Sequence, residues 1–200
     1  MRIIAGRFKG REIKAVPGTG TRPTTDRTRE AWASTINSLC SEGFEGLTVL
    51  DAFAGSGALG LEALSRGAAA AVFAENDKRA LAILRQNVSQ FREDDSLATI
   101  LGIDVLSPRA VKPLRESGPY DLVFLDPPYC LPAVKVEGLL RLLAKAGSLA
   151  MGALIAYEHS SVVKSGLDGL VLCSACSPAG LSMVSCKTYG ITGIEYLRYH

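Results

Sequence analysis

LTVLDAFAGSGALGLEALSRGA, residues 47–68, is the stretch whose reading decides the fold. Its first part, Leu47–Asp51, is a short apolar run that ends in a carboxylate, as a buried strand would. A turn rich in small residues follows, and Leu59–Ser65 then reads as a helix. Within it Gly55, Gly57 and Gly60 satisfy G-x-G-x-x-G, and Glu75 stands twenty positions after Gly55. A glycine turn between a strand and a helix lets backbone approach a ligand closely, and an acid at that distance can hold ribose hydroxyls. The pattern alone leaves a nicotinamide dinucleotide open.

Working outward, the same alternation continues. Upstream, Thr24, Thr25 and Asp26 offer caps for a helix from about Arg27 to Leu39, with Ala31, Trp32, Thr35, Ile36 and Leu39 near one face. Downstream, Ala70–Ala74 reads as a buried strand closed by Glu75. Lys78–Phe91 carries Leu81, Leu84, Val88 and Phe91 at helical spacing. Further strands are expected at Ala98–Ile103, Asp121–Leu125 and Ser148–Tyr157, with a helix at Val134–Ala146 and segments around Leu167–Cys173 and Ile191–Tyr199 completing the sheet. Strands alternating with helices in this way predict a doubly wound, mostly parallel sheet, which binds ligands beyond the carboxyl ends of its strands. Four successive strands close on an acid there: Asp51, Glu75, Asp104 and Asp126.

Charge separates the candidate ligands. A dinucleotide lays its pyrophosphate on the helix N-terminus, where Asp51 would repel it. S-adenosylmethionine carries a sulfonium and an ammonium and no phosphate, so Asp51 favours it. Phe53, Gly55 and Gly57 would line its loop, Glu75 would hold the ribose, and Asp104 would accept from the adenine amino group.

Asp126-Pro127-Pro128-Tyr129 follows the apolar run Leu122–Leu125. Two prolines must end a strand, but a bare turn does not explain an acid before them and an aromatic after. Amino methylation does. An exocyclic amine on a base is a poor nucleophile because its lone pair is delocalised into the ring. Asp126 can accept one of its hydrogens, and the Pro127 carbonyl, stiffened by Pro128, the other. Tyr129 can stack on a base withdrawn from its helix or loop. Transfer to the positioned nitrogen is then an in-line displacement at the sulfonium carbon, helped by proximity and electrostatics. Asp126 can also receive the proton lost, and it lies close enough in the motif to count among the cofactor contacts.

Composition sets the class. Two hundred residues, 48% hydrophobic and 21% charged, fit one soluble globular domain. No apolar run reaches spanning length and the N-terminus lacks a signal-type stretch, so a cytoplasmic protein is expected. The five cysteines, Cys40, Cys130, Cys173, Cys176 and Cys186, are too scattered for a disulfide framework, and no metal site is expected. Residues 1–30 hold eight basic side chains against three acidic ones, a net of +5 in a chain whose total is +2. Arg2–Ile4 and Arg11–Ala15, joined through Gly6–Gly10, read as a small basic hairpin. This basic start points to a polyanionic partner, with Arg2, Arg7, Lys9, Arg11, Arg22, Thr24, Arg27 and Arg29 as candidate contacts.

Three further blocks, Met1–Gly6, Thr21–Glu30 and Lys187–Thr192, together with residues 50–68 and the Asp126–Tyr129 motif, give a chain that resembles the bacterial RsmD family. Those enzymes methylate the exocyclic amino group of one guanine in 16S ribosomal RNA. The resemblance covers nearly the whole chain. It implies a class I, Rossmann-like methyltransferase with a seven-stranded sheet and an N-terminal basic hairpin (residues 1–20) ahead of the catalytic core (residues 21–200). It further implies a monomer acting on small-subunit RNA, in an assembled or partly assembled particle. Arg22, Thr24, Asp26 and Arg29 would lie near the pocket, and Tyr189 and Thr192 would sit in the final hairpin as support. Alternatives from the residues themselves are a DNA adenine or cytosine amino-methyltransferase, which here would lack a separate target-recognition domain, and a nicotinamide-dependent oxidoreductase, which leaves Asp126–Tyr129 unused. Protein glutamine methylation and an inactive RNA-binding protein are further options.

Overall fold

The structure is a computed structural model that describes residues 1–17, 26–91, 97–161 and 180–200, with backbone alone at Asp26 and Arg27. The chain divides into two compact units, Met1–Ile103 and Asp104–His200. Its strands are β1 (Thr48–Asp51), β2 (Ala70–Ala74), β3 (Ala98–Leu101), β4 (Tyr120–Leu125), β5 (Leu149–Ser160), β6 (Leu181–Tyr189) and β7 (Thr192–Tyr199), in one seven-stranded sheet of order β3-β2-β1-β4-β5-β7-β6. The α/β class and the mixed, mostly parallel sheet expected from the sequence are therefore present.

In the first unit, helix α1 (Asp26–Leu39) precedes β1, α2 (Ala58–Ser65) links β1 to β2, and α3 (Lys78–Ser89) links β2 to β3. The three strands are parallel, with Asp51 opposite Phe73 and Ala74 opposite Leu101, so their carboxyl ends align. β2 is apolar throughout and nearly all buried, as expected for a strand covered on both faces. Asp77 caps α3 by accepting from Arg79 N at 3.0 Å and Ala80 N at 2.8 Å. The core of this unit gathers Trp32, Ile36, Val49, Leu50, Leu61, Phe73 and Leu84.

In the second unit, β4 and β5 are parallel, with Leu125 opposite Tyr157, while β5–β7 and β7–β6 are antiparallel. A 3-10 turn (Pro108–Ala110) and helix α4 (Val111–Glu116) lead into β4, and α5 (Ala133–Lys145) joins β4 to β5. α5 buries Val136, Leu139, Leu140 and Leu143, at spacings of three and four.

Three differences from expectation have physical causes. The segment around Leu167–Cys173, and with it Cys173 and Cys176, lies outside the described residues; among the described residues β6 pairs with β7 as the final hairpin around Tyr189 and Thr192 that the resemblance implied, though no strand signal marks the rest of β6. β6 is an edge strand, largely exposed and carrying Ser182, Ser185, Lys187 and Thr188, so it shows no buried-strand run. α4, only six residues long, is too short to show a periodicity. In place of two paired strands, residues 1–17 hold one isolated antiparallel bridge between Arg2 and Glu12, supported by bonds from Ile3 N to Arg11 O and from Ile13 N to Met1 O. Gly10 N also donates to Ile3 O within the segment, whereas four amides between them turn to α2: Ile4 N and Ala5 N donate to the two oxygens of Glu62 at 2.8 and 3.1 Å, Arg7 N to Ser65 O at 2.8 Å and Phe8 N to Ser65 Oγ at 3.0 Å. No helix among the described residues is long and apolar enough to cross a membrane.

Candidate active site

The glycine loop is built from the first unit alone. β1 ends at Asp51, whose carboxylate is 2% exposed and accepts from Gly60 N at 3.0 Å. Asp51 thereby serves an amide in the first turn of α2, which Gly57 starts with no side-chain cap of its own. Beyond the electrostatic task expected of it, Asp51 holds the loop to the helix.

The three glycines have different reasons to be glycine. Gly57 sits at φ +83° and a Cβ there would meet Leu84 Cδ1 at 2.5 Å. At Gly60 a Cβ would run into the Phe73 ring, so helix and strand pack closely there. Gly55, at φ +53°, has nothing within 4 Å of where its Cβ would be. Space beside that backbone is open, as a loop that receives a ligand requires.

Glu75 follows β2 directly. Its Oε2 accepts from Gly55 N at 2.8 Å, and its Oε1 accepts from Asn76 N at 2.8 Å and Asp77 N at 2.7 Å. A carboxylate has about four acceptor sites, so three amides fix its orientation and leave capacity for a hydroxyl. Phe53 is half-buried in the same loop.

The basic N-terminal segment is fastened to the helices beside this loop. Glu62, 3% exposed, also accepts from Arg66 Nε at 2.7 Å and lies 4.0 Å from Arg29 Nη1. Asn87, fully buried on α3, accepts from Lys14 N at 2.9 Å, donates to Lys14 O at 2.9 Å and donates to Ser56 O of the glycine loop at 2.8 Å. Of the expected polyanion contacts, Arg2, Arg7, Lys9 and Arg11 are exposed. Arg7 and Arg11 each lie 4.6 Å from the centre of the Phe8 ring, and Arg11 donates to Gln90 O at 2.8 Å. Arg29 needs correction. It is 1% exposed, donates to Arg2 O at 2.9 Å and faces Glu62, so it organises the interior rather than presenting a surface cation. Arg22 and Thr24 lie outside the described residues, as does the side chain of Arg27.

In the second unit, Asp104 is exposed and accepts from Leu106 N at 3.0 Å, a short turn made by its own side chain. Asp126 is the first residue after β4 and is half-buried; Pro127 is buried, and Pro128 and Tyr129 are exposed. The Tyr129 hydroxyl donates to Glu158 Oε1 at 3.0 Å and lies 3.1 Å from Thr192 Oγ1, while 40% of the residue stays exposed. Burial raises the Tyr129 phenol pKa, the Thr192 hydrogen bond offsets part of that, and the Glu158 and Asp126 carboxylates add to it. Tyr129 is thus a neutral donor at physiological pH. Thr192, which the resemblance places in a supporting role, is the residue whose hydroxyl meets that of Tyr129. Glu158, Glu62 and Asn87 were missed, although a signal existed for each: a polar residue set in an otherwise apolar strand or on the apolar face of a helix. Among the described residues no cluster of metal-ligating side chains occurs.

Comparison with known proteins fits this geometry. The Escherichia coli (strain K12) protein named ribosomal RNA small subunit methyltransferase D is 38% identical over 168 residues, covering 84% of this chain and 77% of that one. YlbH of Bacillus subtilis (strain 168) is 37% identical over 194 residues, covering 97% of this chain and 96% of its own. The solved structure of yhhF from Escherichia coli superposes with a TM-score of 0.75 at 33% identity, covering 100% of this chain and 97% of that one. The family described as conserved hypothetical protein 95, the RsmD family, matches residues 1–197, and the chain belongs to it.

Proposed function

We propose that this chain is an S-adenosylmethionine-dependent methyltransferase that modifies the exocyclic amino group of a guanine in small-subunit (16S) ribosomal RNA. The observation that carries the reaction is Asp126-Pro127-Pro128-Tyr129 at the carboxyl end of β4, with the Tyr129 ring half-exposed and its hydroxyl held. Family membership, and relatives named as methyltransferases of small-subunit ribosomal RNA, support the substrate.

The residues fit the cofactor. Open space flanks Gly55, Glu75 retains acceptor capacity beside it, and Asp51 adds negative charge that suits a cationic ligand. Asp51, Phe53, Gly55, Gly57, Glu75, Asp104 and Asp126 are the proposed holders. When bound, S-adenosylmethionine supplies the electrophilic methyl group. The chain's own part is to prepare the nucleophile. Asp126 accepts one amino hydrogen and the Pro127 carbonyl the other, which favours a pyramidal nitrogen with an available lone pair. Tyr129 holds the base by stacking. Asp126 then takes the proton released on transfer.

Arg2, Arg7, Lys9 and Arg11 are the exposed cations proposed to grip phosphates, together with Arg22, Thr24 and Arg27. We read residues 1–200 as one methyltransferase domain, acting as a cytoplasmic monomer on an assembled or partly assembled subunit. The test is transfer of labelled methyl groups to unmodified small subunits, with duplex DNA as competitor and mapping of the labelled base. Label on one guanine amino group is expected. Label on DNA alone, or on no nucleic acid, would overturn the reading.

A further inference from the structure

Register in the second unit brings together groups that the reaction as described leaves unused. Leu125 of β4 lies opposite Tyr157 of β5, so Asp126 and Glu158 both come one residue later, at the carboxyl edge of this parallel pair. On β5–β7, Glu158 is opposite Ile194 and Ser160 is opposite Thr192. Side chains alternate along strands, so Glu158 and Thr192 share a face as diagonal neighbours. The Tyr129 hydroxyl bridges that diagonal, donating to Glu158 Oε1 at 3.0 Å and meeting Thr192 Oγ1 at 3.1 Å.

We propose that Glu158 and Thr192 are positioning residues that fix the Tyr129 ring as the stacking platform for the substrate base. This rests on the function proposed above. Tyr129 sits in the turn after two prolines, on an exposed stretch running from Pro128 to Cys130. An aromatic ring there can swing about its Cα–Cβ bond. A hydroxyl held from two directions stops that swing. The phenolic hydrogen prefers the ring plane, so an acceptor on one side and a hydroxyl on the other also set the tilt of the ring. Glu158 is 5% exposed, a costly place for a carboxylate unless it is hydrogen-bonded. Holding the ring before the base arrives removes an ordering cost from binding.

The experiment uses the 200-residue chain, five single variants (Tyr129→Phe, Glu158→Leu, Glu158→Gln, Thr192→Val and Thr192→Ser) and the double variant Tyr129→Phe with Glu158→Leu. Steady-state kcat and KM are measured on unmodified small subunits, alongside S-adenosylhomocysteine affinity and Tm. Tyr129→Phe keeps the ring and loses both hydroxyl contacts, so kcat/KM should fall about tenfold, the worth of one hydrogen bond to a charged acceptor. S-adenosylhomocysteine affinity should not change. Glu158→Gln and Thr192→Ser keep a partner for the hydroxyl and should recover most of what Glu158→Leu and Thr192→Val lose. Combining Glu158→Leu with Tyr129→Phe should cost no more than Tyr129→Phe alone. Full kcat/KM in Tyr129→Phe, or additive losses in the double variant, overturns the proposal.

A second readout separates this from failure of the functional reading. Fluorescence of a 2-aminopurine-containing RNA reports stacking without turnover. Should wild type methylate no subunit RNA, the functional reading falls. The positioning role is then decided by quenching: weaker in Tyr129→Phe than in wild type supports it, and equal quenching refutes it.

Discussion

Replacing Asn87 with Leu is the most searching perturbation of the first unit. The side chain is fully buried and makes three hydrogen bonds, two with the Lys14 backbone and one with Ser56 O of the glycine loop. Leucine fills nearly the same volume and makes none of them. At about 1 kcal/mol net per bond, the loss is about 3 kcal/mol. Lys14 is exposed, so water can reach its groups once the segment lifts, and the cost should not greatly exceed that sum. It is still a large part of the roughly 5–15 kcal/mol that holds a domain together. The single tryptophan, Trp32, is buried in α1 and reports unfolding by its fluorescence in urea. The Lys14 amide should also lose protection from hydrogen exchange. Because one of the three bonds holds Ser56, S-adenosylhomocysteine should bind about fivefold more weakly, the equivalent of about 1 kcal/mol. A stability loss below about 1 kcal/mol with unchanged ligand affinity would refute Asn87 as the tie between the N-terminal segment and the loop.

Other expectations can be checked separately. Asp126→Asn should lower methyl transfer by roughly a hundredfold or more, with a much smaller loss of S-adenosylhomocysteine binding because the other proposed holders remain, as calorimetry and a transfer assay on the same preparation would show. Gly60→Ala pushes a methyl into the Phe73 ring and should cost about 1–3 kcal/mol in urea, whereas Gly55→Ala, with open space but φ +53°, should spare packing and weaken ligand binding. Stability should fall in alkali. Burial, and then the Glu195 carboxylate, push the Tyr157 phenol up to about 12 from 10.0, and burial raises that of Tyr120 further still. Folded chain therefore holds protons that unfolded chain releases. The stabilisation is complete below pH 10 and is lost as pH rises through about 12, which urea midpoints across that range would show.

Much of the architecture was legible because its signals are local. Leu47–Gly60 declares a strand, a turn and a helix within fourteen residues, and Asp126–Tyr129 declares its chemistry in four. What escaped depends on partners far away in sequence. Nothing near Glu158 reveals that a tyrosine 29 positions earlier will donate to it. Arg29 looked like a surface cation among cations, because the acid that draws it inward, Glu62, lies on another helix. β6 gave no strand signal since an edge strand needs no apolar face to be held by its neighbour's backbone.

The fastening of the N-terminal segment also has a consequence for synthesis. Lys14 waits for Asn87, 73 residues later, and Ile4 for Glu62, 58 residues later. At roughly 5–20 residues per second, Lys14 is made about 4–15 s before its docking partner. During that interval the five cations of residues 1–17 are undocked, next to the RNA-rich machine that is making the chain.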